Sequence, residues 1–171
     1  EEILVRLYKT YILPKLNYCS QQWNTGLEAH LKALEKEIES YWKLLGARKR
    51  PPKNIMSLRA QLIYNELKLM HKIWCGQSTI DFDEFFSISE LQKTTNKYIE
   101  AKTFKHTFAK HTFAHRIHKY WNYLPLSTRN LSPELFKNEI KLLFNSKKHS
   151  QKLLNLGRET QITGAPLGIN E

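Results

Sequence analysis

At 171 residues the chain has room for one ordinary domain or for two small ones packed closely together. Its 27 Lys and Arg against 16 Asp and Glu leave a formal charge of +11, which points to a polyanionic partner, nucleic acid ahead of anionic membrane. The apolar runs fall far short of the ~20 residues that span a bilayer. Two cysteines make no disulfide framework and fit a reducing compartment, cytoplasmic or nuclear.

Ile3, Leu4, Leu7, Tyr8, Tyr11 and Ile12 recur at spacings of three and four, which predicts a helix with one buried stripe. Pro14 should interrupt it, because proline lacks an amide donor and clashes with the preceding turn. Leu16 to Trp23 continues as a kinked or separate piece. The pattern is already helical at Glu1, hence the expectation of a fragment of a longer chain. A second helix runs from about Leu27 through Leu31, Leu34, Ile38, Trp42 and Leu45, with Gly46 as its C-cap. The basic turn Ala47 to Lys53 cannot be helical across Pro51-Pro52.

A third helix is expected from Ser57 to Cys75, with Leu58, Leu62, Leu67, Leu69, Met70 and Ile73 among its apolar positions and Gly76 as its end. Asp81 to Glu90 reads as an acidic, aromatic loop or short helix. Lys93 to Lys119 carries seven basic residues against the single acid Glu100, and holds the tandem Lys-His-Thr-Phe-Ala at 105–109 and 110–114. A five-residue repeat matches neither the helix nor the strand period. It is a local duplication without architectural meaning. A fourth helix covers about Phe113 to Asn122 and is closed by Leu124-Pro125. The fifth has Ser132 as N-cap, Pro133 at its first position and Glu134 in its first turn. Its buried stripe is Leu135, Phe136, Ile140, Leu143 and Phe144.

The fold class is therefore mainly α: a helical, bundle-like region over 1–76, a small mostly helical region over 77–145 with room for short strands near 93–108, and a basic, disordered tail over 146–171. The handover between the first two falls within 76–93.

Three segments, in order, resemble the carboxy-terminal region of non-LTR (LINE-type, jockey-like) retrotransposon reverse transcriptases. The first is Leu7-Tyr8-Lys9-Thr10 with Pro14, Leu16, Tyr18-Cys19 and Trp23; the second is Leu31, Leu34 and Glu35 within the helix ending at Gly46. The third is Arg116, Trp121-Asn122, Leu124-Pro125 and Phe136-Lys137. Together they cover roughly residues 3–145. The five-residue duplication is a departure from the family pattern. The resemblance implies a thumb followed by a C-terminal region, gripping the RNA and DNA of a template-primer duplex within a larger reverse transcriptase chain. It also implies that the aspartate pair and magnesium of polymerisation belong to a palm with no counterpart here. No catalytic residue, cofactor or membrane partner is then expected of this chain.

Several clusters invite sharper readings. Asp81 and Asp83 could share one face of a strand, but a two-metal site needs carboxylates converging from separate elements, so a solvated acidic loop is the better reading. His111, His115 and His118 have helical ligand spacing, yet part of that pattern comes from the duplication, and a partly protonated basic face explains it as well. No metal site is assigned. For nucleic-acid binding the candidates are Arg48, Lys49, Arg50 and Lys53 on the proline-stiffened turn, then Lys105, Lys110 and Arg116. Flexible cations of this kind track phosphates without reading bases. Phe113 and Trp121 are expected in the core, and Asn122 as a cap on the turn into Leu124-Pro125. The competing expectation is a free-standing helical protein-interaction module derived from a transposon, whose basic surface serves solubility.

Overall fold

The computed structural model describes residues 2–44, 55–90, 97–102 and 111–162. It is mainly helical with one small two-stranded sheet. The chain starts as α1 (Glu2–Leu7), widens into a π-helical turn (Tyr8–Ile12) and resumes as α2 (Leu13–Asn17) with Pro14 in its first turn. That widened turn is how a proline is carried inside an otherwise continuous helix. It shifts the backbone pairing by one residue at the point where Pro14 can neither donate nor tolerate a tight turn. Cys19 then adopts a left-handed conformation (φ 46°) and redirects the chain into α3 (Ser20–Trp23), where the Trp23 indole N–H donates to the Tyr18 carbonyl.

Two long helices follow, α4 (Glu28–Leu44) and α5 (Leu58–Trp74). The α5 start is fixed by Ser57, whose hydroxyl accepts from the Ala60 amide. Its end is at Cys75, with Gly76 in the left-handed region as expected. Arg59 on α5 forks onto Glu28 at 2.7 and 2.9 Å and onto Glu35 at 2.8 and 3.2 Å, tying α5 to α4. Between these helices Leu31, Leu58 and Leu62 form a small core with Leu16, Trp23, Leu34 and Ile38 around it.

A short α6 (Phe82–Phe85) is capped by Asp81, whose carboxylate accepts from the Asp83 amide. This gives Asp81 a structural use and agrees with a short helix there. It leads into β1 (Phe86–Glu90), which pairs antiparallel with β2 (Lys97–Ala101), Phe86 opposite Ala101 and Ile88 opposite Ile99. The strands are thus found, but the first lies upstream of the 93–108 window, in residues that read as loop or helix. Next come α7 (Phe113–Tyr123), α8 (Leu126–Arg129), α9 (Pro133–Asn145) and α10 (Lys147–Ile162).

The main core is built from α5 (Leu67, Met70), the hairpin (Phe86, Ile99), α7 (Ile117, Trp121), α9 (Phe136, Ile140) and α10 (Leu153). Trp121 is fully buried, with Trp74 and Phe136 ring centroids 5.7 and 5.9 Å away. Side chains of this size stabilise by about 1.5–3 kcal/mol each when fully buried. Phe113 is half-buried at the edge of this core.

Four expectations need correction. The boundary at 76 passes through this core, because α5 packs on α7 and α9 rather than on the amino-terminal helices alone. Residues 147–162 form a helix whose Leu153 is fully buried. The basic and glycine content of that segment had hidden an apolar anchor. Among the first-helix residues only Tyr8 is buried, against Tyr41 and Trp42 of α4, while Ile3 (74 %), Leu7 and Tyr11 (63 %) are exposed. Leu135 is likewise exposed, since the α9 stripe is centred on Phe136, Ile140 and Phe144.

Candidate nucleic-acid interface

Arg48, Lys49, Arg50 and Lys53, and also Lys105 and Lys110, lie outside the described residues, as does Gly46. Arg116 is described, and it is not at the surface. Arg116 is 7 % exposed and donates from Nε (2.9 Å) and Nη2 (2.6 Å) to Oε1 of Glu66, itself 1 % exposed. Asn24 Nδ2 donates to the same oxygen at 3.1 Å, and Arg116 also donates to the backbone carbonyls of Gln21 and His111. Burial pushes the Glu66 carboxyl up, with Arg116 pulling it back. Glycine at 26 is required on two counts: its φ is +72°, and a Cβ there would sit 2.9 Å from the Arg116 side chain. Arg116 therefore joins α7, α5 and the loop after α3 from within. This corrects its expected place among the phosphate-gripping cations: the guanidinium is buried and four of its five N–H donors are taken up inside the protein.

The other signature residues are also internal. Asn122 does not cap the following turn. Its side chain accepts from the Ile99 amide (3.0 Å) and donates to the Ile99 carbonyl (2.8 Å), so it pins β2 onto α7 as another strand would. Arg129, 2 % exposed, donates to the Leu124 and Asn122 carbonyls and closes the turn across Pro125 instead.

One group of described cations that meets across two helices lies elsewhere. Lys68 and Lys72 are one turn apart on α5, and Lys137 and Lys141 are one turn apart on α9, which packs against it. Lys68 is half-buried with its ammonium 4.9 Å from the Tyr64 ring centroid. Its pKa is lowered by burial and then by the charges of Lys137, Lys72 and Lys141. Like charges at i,i+4 destabilise a helix by a few tenths of a kcal/mol, and here two such pairs repel across an interface. Lys137 has a carboxylate partner, Glu134, at 2.7 Å. Lys68, Lys72 and Lys137 line a cleft of about 430 Å³ together with Asn17, Gln21, Gln61 and Asn65 and, among the described residues, with no carboxylate.

His71 stands behind this cleft. Its Nε2 lies 2.9 Å from the Leu131 carbonyl, and its ring stacks on Phe136 at 4.0 Å. Burial lowers its pKa against the pull of that carbonyl. Of the three α7-region histidines, His111 is exposed while His115 and His118 are half-buried. Among the described residues no group of three or more His, Cys, Asp or Glu could hold a metal ion, and no helix is long and apolar enough to cross a membrane.

The lysine cleft was legible in part. The i,i+4 spacing of Lys68/Lys72 and of Lys137/Lys141 is plain in the sequence, but their meeting depends on α5 packing on α9, across 65 residues of chain. Comparison with family models, with curated proteins and with solved structures finds no match to this chain.

Proposed function

We propose that this chain is the carboxy-terminal, nucleic-acid-gripping part of a non-LTR retrotransposon reverse transcriptase, seating the template-primer backbone for a catalytic palm carried elsewhere. The observation that carries the reading is the cationic face made by two lysine pairs on packed helices, in a chain of charge +11. Such a face costs stability, and a bound polyanion relieves that cost. The resemblance of residues 7–23, 31–35 and 116–137 supplies the family. The burial of Arg116, Trp121 and Leu124, and the clamp made by Asn122, explain why a related chain would keep those residue types: they hold together the core that carries the lysines. Grip of this kind depends on released counterions, so it weakens steeply with salt and reads little sequence. Arg48, Lys49, Arg50 and Lys53 remain the proposed contacts in the segment that follows α4 in sequence, with Lys105 and Lys110 in the one that follows β2. RNA-directed synthesis, its magnesium and the primer chemistry belong to the remainder of the enzyme.

The test is titration of a labelled RNA–DNA hybrid at several salt concentrations, beside a variant with Arg48, Lys49, Arg50 and Lys53 changed to Ala. Support is a steep salt slope that flattens in the variant. Equal and poor binding of both at ~0.15 M salt, where exposed charges are screened beyond roughly 8 Å, sinks the reading.

One observation favours the second reading, a free-standing helical protein-interaction module. Ile3, Leu7 and Tyr11 form an exposed apolar row along the first helix, a face of the kind that packs on protein. That reading expects concentration-dependent self-association or partner capture by this row, with only weak and indiscriminate nucleic-acid affinity.

A further inference from the structure

Beside the Arg116–Glu66 strut lies a small cavity of about 40 Å³. Asn24, Arg59, Glu66, Arg116 and Tyr120 give it polar walls, and leucines of α4, α5 and α10 line much of the rest. Two of the polar groups on its walls have no hydrogen-bond partner among the described residues. All three donors to Glu66 meet Oε1, and none reaches Oε2. Tyr120 is buried, yet its hydroxyl bonds neither to Glu66 nor to any other described group. Asn24 Oδ1 accepts once, from the Gly26 amide at 3.0 Å, and keeps a second lone pair. Buried oxygens left without partners are costly and rare.

We propose that this cavity binds an ordered water that accepts from Tyr120 Oη and donates to Glu66 Oε2 and Asn24 Oδ1. Size makes the first selection. A water needs roughly 10–15 Å³ of such space, so the cavity holds roughly one to three waters and no larger polar ligand. Charge makes the second: the guanidinium groups of Arg59 and Arg116 oppose a cation, and the buried Glu66 carboxylate opposes an anion. Polarity makes the third, because an apolar guest would leave Oε2 and the phenol without partners. Oε2 can only accept, whereas the phenol can donate. Burial first, and then the Glu66 charge, keeps the Tyr120 proton in place well above the ordinary tyrosine range. A molecule joining the two must accept from one and donate to the other, and with Asn24 it makes about three bonds, the usual count for a buried water. The water thereby ties Tyr120 of α7 to α5 and to the loop after α3, alongside the Arg116 strut.

The experiment is oxygen-17 relaxation dispersion of solvent water with the full chain, which counts long-lived bound waters and is blind to exchanging hydroxyl protons. Wild type is measured beside Glu66→Met/Arg116→Met, which replaces the carboxylate and the guanidinium on the cavity wall with apolar groups. Cavities with apolar walls stay dry, so the double variant should lose the amplitude of at least one long-lived water. Tyr120→Phe then isolates the phenol. It removes a single oxygen, and its unfolding constant in urea should be about three- to tenfold larger than that of wild type, as loss of one hydrogen bond requires. Were the hydroxyl unpartnered in solution, the same change would be neutral or stabilising. The wild-type Tm should be the same in sodium, potassium and ammonium chloride at equal ionic strength. Equal dispersion amplitude in wild type and the double variant, or a Tyr120→Phe chain as stable as wild type, would overturn the proposal. So would a Tm that follows the identity of the cation, since the occupant would then be an ion.

Discussion

Replacing Arg116 with Met tests whether that cation is an internal strut or a phosphate contact. In the structure Glu66 Oε1 receives three donors, Nε and Nη2 of Arg116 and Nδ2 of Asn24, at 2.6–3.1 Å. The substitution leaves one neutral amide, worth about 0.5–1.5 kcal/mol, to hold a carboxylate that is 1 % exposed. Breaking a buried pair on one side costs about 3–5 kcal/mol. For a chain of this size each kcal/mol moves Tm by ~2–4 °C, so Tm should fall by roughly 6–20 °C. The loss should shrink on acidification. Burial already raises the Glu66 carboxyl above its ordinary value; without Arg116 that rise grows, and the folded state then binds a proton that the unfolded state releases. Stability of the variant accordingly falls as pH rises above the ordinary carboxylate range and recovers as pH drops towards it. The double variant Glu66→Met/Arg116→Met should recover most of the loss, because an apolar pair of similar volume replaces two desolvated charges. Urea denaturation of the three variants at pH 5 and pH 7.5 closes the cycle. A loss under about 1 kcal/mol for Arg116→Met, together with a shallower salt slope for RNA binding, would refute the reasoning and return Arg116 to the phosphate contacts.

Leu153→Ala should cost about 2–5 kcal/mol by the same denaturation assay if α10 is part of the core, whereas a residue in a tail would cost nothing measurable. Asn122→Ala removes both bonds to Ile99 and leaves a backbone amide and carbonyl to find new partners, a loss of about 1–3 kcal/mol. Hydrogen exchange at the Ile99 amide should accelerate before that of the α5 amides, and unchanged exchange would dismiss the clamp. His71 and His118 both have pKa values lowered chiefly by burial. Between those values and the ordinary ~6.5 the unfolded chain binds protons that the folded chain refuses, so stability rises with pH and is lost as pH falls below about 6.5. Each group contributes a slope of up to ~1.4 kcal/mol per pH unit. A urea midpoint that stays flat from pH 7.5 to 5.5 would contradict this.

Helix existence was readable wherever a local signal sufficed. Ser57 and Ser132 mark starts, Gly76 marks an end, and the spacing of Leu62, Leu67, Met70 and Ile73 marks the buried face of α5. What failed were inferences that depend on tertiary partners. The row Ile3, Leu7, Tyr11 has the periodicity of a core stripe, yet no described element covers it. Phe86 to Glu90 looked like the end of an acidic loop, because a two-stranded hairpin draws its strand character from the Asn122 clamp as much as from its own residues. α10 has a polar composition, and it is anchored by the fully buried Leu153 with Leu154 and Leu156 partly buried beside it.

Arg116 and the lysines at 68, 72, 137 and 141 illustrate the difficulty most sharply, since all are cations and their chemistry on paper is the same. Whether a cation serves the interior or the surface depends on what stands opposite it. Arg116 faces Glu66, an acid on the buried side of α5. Lys68 and Lys72 are on the same helix, and what faces them across the cleft is another lysine pair. One turn of α5 thus presents an anion inward and the next presents cations outward. Arg116→Met should therefore reach ligand binding only through stability, while Lys72→Ala/Lys141→Ala should reach binding with Tm unchanged or slightly raised, as relief of like-charge repulsion requires. A substantial drop in Tm for that lysine pair would mean the lysines are structural, and the cationic face would lose its functional reading.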